Sequence, residues 1–254
     1  MDINEILYVA MYAGKIMLES GAETYRVEET IDRICKNYGV EEADSYATPT
    51  VIIVSVYSNG KTSSLVRRIS GISVDLHKID RVNDLSRTIQ LEQLSLKELE
   101  GRLKYIENAE RYSFKTTLLF SALGAFGFVF LFGGSFRDAI SAFLIALIVK
   151  YVTIRGSEVK INQFFINSIS AGVLALFAIL SIKIGLAEDM DKVIIGSIML
   201  LVPGLSITNA IRDTVAGDLV SGLARGTDAF LTAIAIAIGT GTILSLWINI
   251  FGGI

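Results

Sequence analysis

The chain has 254 residues, enough for one large domain or two modest ones. It is 52% hydrophobic with a mean hydropathy of +0.54, and its two prolines and 19% charged residues exclude a disordered or collagen-like polymer. One cysteine and one histidine exclude a disulfide framework and multi-histidine metal chemistry, and a net charge of −3 argues against nucleic-acid binding.

The charges are segregated. Residues 1–115 hold 15 of the 23 Lys and Arg and 18 of the 26 Asp and Glu, leaving 8 of each sign for residues 116–254. The expected fold is therefore a soluble α+β N-terminal domain followed by an all-α multi-pass transmembrane bundle of about five helices. The expected boundary falls between 1–113 and 114–254.

At the N-terminus, Ile3, Ile6, Leu7, Ala10, Met11, Gly14, Met17 and Leu18 form an apolar stripe at helical spacing. The opening residues carry acids where a secretory signal needs basic ones, so no signal peptide is expected. Gly21 interrupts the stripe. Ser20 and Glu23 have capping-box spacing for a second helix, whose buried face runs through Val27, Ile31, Ile34 and Tyr38 to Gly39. A capping role for Glu23 and a functional one weigh evenly, and Glu28 and Glu29 read as a solvated helix face. Cys35 is expected to be packed.

The period then changes. Thr50–Tyr57 and Thr62–Ile69 read as strands joined at Asn59-Gly60, and Ile72, Val74 and Leu76 as a third strand with His77 on its polar side. Helical spacing returns at Val82, Leu85 and Ile89. It appears again after Ser95 and Glu98, at Leu96, Leu99, Leu103 and Ile106.

Five apolar runs follow, with spans near 116–132, 139–154, 164–182, 193–211 and 229–250. Lys104, Arg111 and Lys115 precede the first. Lys150, Arg155 and Lys160 lie at the end of the second or just after it, and Arg212 and Arg225 lie at the end of the fourth or just after it. The positive-inside rule puts these segments and the N-terminal domain in the cytoplasm of a plasma-membrane protein. In the fourth run, Pro203 and Gly204 interrupt the helix, leaving a positive half-helix end that suits a carboxylate, with Ser206, Thr208 and Asn209 beyond it. Asp213 and Asp218 lie near Arg212 and Arg225, where a partly desolvated carboxylate can take up and release a proton. Gly124, Gly127, Gly239 and Gly241 read as close-packing positions.

Two motifs carry a family resemblance. One is Ser20-Gly21-Ala22-Glu23 with Val27 and Glu28. The other is Leu201-Val202-Pro203-Gly204 with Asn209, Asp213, Gly217, Asp218, Gly222, Leu223, Ala224 and Arg225. The chain resembles the larger subunit of the two-component branch of the threonine/serine exporter family, which is also linked to succinate export. The resemblance implies export of threonine and serine, or of succinate in some members, and a small integral-membrane partner subunit; the expected function is secondary, proton-driven export of small carboxylate-bearing metabolites, threonine/serine first and succinate as the alternative. It implies no cofactor, no metal and no enzymatic activity. Within it, Pro203, Gly204, Ser206, Thr208 and Asn209 are candidate substrate-binding residues. Asp213, Asp218 and Arg225 are candidates for proton and charge coupling, and Gly21, Glu23 and Glu28 form the N-terminal motif. The alternative of another class is a membrane-anchored sensor or hydrolase working through residues 1–113, although that stretch shows no nucleophile–base pair.

Overall fold

The computed structural model describes residues 2–109 and 112–252. Met1, Glu110, Arg111, Gly253 and Ile254 lie outside the described residues, among them the flanking Arg111 and the chain end at Ile254. The chain forms two compact units: Met1–Glu110 with Leu205–Gly226, and Arg111–Gly204 with Thr227–Ile254.

The first unit is built around helix α1 (Ile3–Glu19), which is buried at nearly every position from Val9 to Leu18. Packed with it are α2 (Thr24–Asn37), α3 (Leu76–Glu92), α4 (Leu96–Glu107) and an antiparallel meander of β1 (Glu42–Thr48), β2 (Val51–Ser58) and β3 (Lys61–Arg68). Alternate residues Ile52, Val54 and Val56 of β2 enter the core, so the sheet offers one apolar face to the helices. At Gly14 a Cβ would stand 2.5 Å from Ile31 Cδ1, which is how closely α1 and α2 cross. Glu107 ties α4 back to α1 through Tyr12 and Lys15.

The central hairpin matches the expected strands to within a residue, and the helices of Val82–Ile89 and Leu96–Ile106 form as expected. Ser95 and Glu98 make a reciprocal capping box. Cys35 is fully buried.

Two local expectations are corrected. Residues 72–76 do not form a strand. The amides of Ser73 and Asp75 instead donate to the carbonyls of Glu19 and Ser20 at the end of α1, and Asp75 caps α3. His77 accordingly stands on the first turn of α3, exposed. The third strand is β1, whose sequence Glu-Ala-Asp-Ser-Tyr-Ala-Thr has no clear apolar alternation and takes its conformation from pairing with β2, Glu42 opposite Tyr57. Ser20 and Glu23 form no capping box either: α2 starts at Thr24 with Glu23 in the cap position, its carboxylate turned elsewhere.

The second unit contains α5 (Phe114–Leu131), α6 (Phe136–Glu158), α7 (Gln163–Lys183), α8 (Met190–Ile198) and most of α10 (Leu219–Phe251). Its buried positions are largely alanine: Ala122, Ala125, Ala139, Ala142, Ala146, Ala171 and Ala178. Large apolar side chains point outward, with Phe120, Leu131, Phe136, Phe165 and Phe230 all more than half exposed. A water-soluble bundle has the opposite arrangement. Small residues inside and bulky ones outside are what lipid-embedded helices use, because packing rather than water exclusion joins them. α7 and α10 approach closely, since a Cβ on Gly239 would clash with the Ser168 carbonyl oxygen. Gly124, Gly127 and Gly241 meet nothing within 4 Å, so the expected packing role fails there.

Among the described residues, four helices, not five, are long and apolar enough to cross a membrane: α5, α6, α7 and α10. The expected span at 193–211 is not one helix. It breaks into α8 and α9 (Gly204–Ala216), with residues 199–203 between them in turn and irregular conformation, where Pro203 has no amide to continue the ladder. From Leu205 onward the chain belongs to the first unit.

Candidate functional site

The site lies inside the first unit, where the α1–α2 turn meets the hairpin of α9 and the start of α10. The turn is a Schellman motif. Gly21 takes φ +88°, its amide donates to Leu18, and the amide of Ala22 donates to Met17. That leaves the carbonyls of Gly21 and Ala22 without helical partners. A second such turn joins α9 to α10. Gly217 takes φ +99°, the amides of Gly217 and Asp218 reach back to Thr214 and Asp213, and the carboxylates of Asp213 and Asp218 are brought together. The hairpin closes tightly because Gly222 has no side chain: a Cβ there would stand 2.1 Å from Thr214 Oγ1 and 3.0 Å from the Ala210 carbonyl oxygen.

Four consecutive residues, Gly21 to Thr24, each engage the α9–α10 hairpin. Asn209 Nδ2 donates to the Gly21 carbonyl at 3.0 Å, and Arg225 Nη2 donates to that of Ala22 at 2.7 Å. The Glu23 carboxylate pairs with Arg212, and with Arg26 at 3.3 Å. The Thr24 hydroxyl lies 3.1 Å from both Asp213 Oδ1 and Asp218 Oδ2. Behind them, Glu28 accepts from the Ala47 amide at 2.7 Å, and Ser221 donates to the Ala47 carbonyl. Glu28 is therefore half-buried against β1 rather than on a solvated face, unlike the exposed Glu29.

Asp213 is completely buried and forms an ion pair with Arg225, Nε to Oδ2 at 3.0 Å. It also accepts from the Thr24 amide, supplying from α9 the cap that the N-terminus of α2 lacks locally. Burial raises its carboxyl above the usual carboxylate range; Arg225 and the Thr24 hydrogen bonds pull downward without reversing the shift, and Asp218 adds to it. Glu28 is also raised, first by burial and then by Asp218 and Asp213, with the Ala47 amide opposing.

A cavity of about 250 Å³ opens beside this junction, lined by Gly21, Glu23, Arg26, Asp80, Asn83, Thr208, Asn209 and Arg212 with a few apolar side chains. It takes in Thr208 and Asn209. Ser206, half-buried on α9, is not on it; Pro203 and Gly204 belong to the second unit. The sequence singled out Asp213, Asp218, Arg225, Gly21, Glu23 and Glu28, and the fold gathers all six. Thr24 and Ala47 had no signal beyond adjacency to the first motif or to a strand. No group of three or more metal-ligating side chains exists among the described residues.

Comparison with known proteins gives the family. Residues 8–247 match the family model described as "Putative threonine/serine exporter". The chain belongs to that family. It is 26% identical over 239 residues to a "Probable succinate transporter subunit YjjP" of Klebsiella aerogenes, covering 91% of this chain and 90% of the relative. The Escherichia coli protein of the same name is 22% identical, with 94% and 93% covered. It is also 23% identical to the "Threonine/serine exporter" of Corynebacterium glutamicum, where 93% of this chain matches 50% of that protein. No solved structure matches significantly. The chain is a membrane protein of an exporter family, and this membership sets aside the reading as an anchored hydrolase.

Proposed function

We propose that the chain is one subunit of a secondary active exporter that moves small carboxylate-bearing metabolites out of the cell, driven by the proton gradient. The observation that carries this is the buried junction itself. Residues 21–24 and 209–225, nearly 190 positions apart, meet around a carboxylate that is desolvated, ion-paired and close to a second carboxylate. Such a group binds a proton more readily than an ordinary aspartate, and its charge changes the holding force on Arg225.

Asp213 and Asp218 carry the proton, and Arg225 is their charge partner. Gly21, Glu23 and Glu28 shape the turn. Thr208 and Asn209, on the cavity, bind the substrate, with Pro203, Gly204 and Ser206 forming the break through which the helix end is presented. The first unit lies in the cytoplasm and the second in the plasma membrane. Chain parity supports this topology. Residues 1–110 and 205–226 share one compact unit, which fits an even number of crossings between them. Helices α5, α6 and α7 make three crossings, and the interrupted stretch from Met190 to Gly204 makes the fourth.

Charge balance in the cavity favours threonine or serine. Glu23 and Asp80 offset Arg26 and Arg212, which suits a zwitterion better than a dianion. Succinate is the second reading, because the relatives named for it match along 90% and 93% of their length. A small membrane subunit completes the transporter. The test is efflux from preloaded cells expressing both subunits, with labelled threonine, serine and succinate. Asp213→Asn combined with Asp218→Asn is expected to abolish proton-coupled efflux. Undiminished, still proton-coupled efflux removes the assignment.

A further inference from the structure

The hydroxyl of Thr24 sits between two carboxylates at equal distance, and the hydrogens there do not add up. Asp213 Oδ1 and Asp218 Oδ2 are each 3.1 Å from Thr24 Oγ1. A hydroxyl has one hydrogen and two lone pairs, so it can fill only one of the two gaps. With both carboxylates ionised, the other gap sets a carboxylate oxygen against a hydroxyl lone pair. Thr24 is fully buried and so is Asp213, whose Oδ2 accepts no hydrogen bond despite its ion pair. One more proton resolves the arrangement: a carboxyl on one side donates to Oγ1, and Oγ1 donates to the carboxylate on the other.

We propose that Thr24 is a positioning residue for proton coupling, holding one shared proton between buried Asp213 and half-buried Asp218 and relaying it from one to the other. In the relay, Asp213 gives its proton to Thr24 Oγ1 as Thr24 gives its own to Asp218 Oδ2. The hydroxyl is restored, the net charge is unchanged, and the proton has moved towards the more accessible carboxylate. This rests on the proposed proton-coupled reading of the same site. The charged groups around the bridge are Glu28 on α2, Arg225 on α10, and Glu23 with its partners Arg212 and Arg26; β1 contributes only the Ala47 amide and carbonyl. Arg225 pairs with Asp213, while Asp213 and Asp218 both act on Glu28 as like charges, so a proton held among these carboxylates reduces the excess negative charge.

The test reads protonation directly, apart from transport. Infrared difference spectra of the purified full-length protein follow the protonated-carboxyl stretch through a pH titration. Wild-type protein is expected to show a carboxyl titrating above the ordinary aspartate range, lost in Asp213→Asn. Thr24→Val removes the bridge and is expected to lower the midpoint by about one pH unit, a tenfold loss of proton affinity, whereas losing a hydroxyl that only donated to an ionised Asp213 would raise it. Thr24→Ser, which keeps the hydroxyl, restores it. Should Thr24→Val not fold, Asp218→Asn leaves Thr24 in place and removes the charged acceptor, and its midpoint must fall too. An unchanged or raised midpoint in Thr24→Val, or an unchanged one in Asp218→Asn, overturns the bridge. Failure of the exporter reading looks different: the infrared shifts appear, and efflux ignores them.

Discussion

Replacing Arg225 with Met should unlock the junction. The Arg225 side chain is 7% exposed and that of Asp213 is 0% exposed, so the methionine variant leaves a carboxylate in the interior with its cation gone. Breaking a buried pair by removing one partner costs about 3–5 kcal/mol, mostly from the stranded charge. The variant also loses the 2.7 Å hydrogen bond to the Ala22 carbonyl. Spread over a chain of this size, 3 kcal/mol corresponds to a fall in Tm of about 6 °C or more. Thermal unfolding of the purified protein in detergent is the assay. Because the cost is chiefly an uncompensated charge, Asp213→Asn in the Arg225→Met background should recover much of it, giving a coupling energy well above 1 kcal/mol in the double-mutant cycle. Additive single and double costs, or a single cost below about 1 kcal/mol, would refute the electrostatic account of the junction.

Gly222→Ala should destabilise by about 1–3 kcal/mol, since the added methyl meets Thr214 and the Ala210 carbonyl; chemical denaturation checks it. Gly239→Ala, aimed at the Ser168 carbonyl, should be at least as damaging, whereas Gly241→Ala, in open space, should be neutral. Glu107 is desolvated, but hydrogen bonds from Tyr12 and Lys15 outweigh burial and hold its carboxyl below the usual range. Its contribution is therefore present above the ordinary glutamate pKa and lost as pH falls through the depressed value. The stability gap between wild type and Glu107→Gln should close on acidification, as read by melting curves from pH 7 to 3. Cys35, fully buried with its thiol pushed up to about 12, should resist alkylation in the native protein and react only on unfolding, measured by mass.

What the sequence made legible was periodicity and punctuation. The stripe of α1, the Asn59-Gly60 hairpin and the Ser95–Glu98 cap each depend on residues a few positions apart, and each formed. What it hid depended on distant partners. β1 has a polar, irregular sequence and becomes a strand only because β2 presents a free edge beside it. Ser20 and Glu23 have the spacing of a local cap, but Glu23 is drawn to Arg212, 189 residues away, and Asp213 does the capping instead. The run at 193–211 is apolar enough for a span, yet a proline and the polar contacts of Asn209 and Arg212 turn its second half into part of the other unit. Hydropathy cannot register that competition, because it scores each residue against lipid and not against a partner.

The same competition explains why the two motifs sit where they do. A helix that must both leave the membrane unit and dock on the α1–α2 turn needs a break and an anchor. Pro203 supplies the break. Asn209, Arg212 and Arg225 supply the anchor, each by contacting a backbone carbonyl or carboxylate that the Schellman turn at Gly21 leaves exposed. Residue 21 sits at φ +88°, so any side chain there strains the turn and displaces both carbonyls at once. Gly21→Ala should therefore weaken the docking of the whole α9–α10 hairpin although alanine itself touches little. Faster amide hydrogen exchange across 205–226, with exchange in α5–α7 unchanged, is the expected signature. Exchange rising equally in both units would mean that the turn supports the entire fold and not the junction in particular.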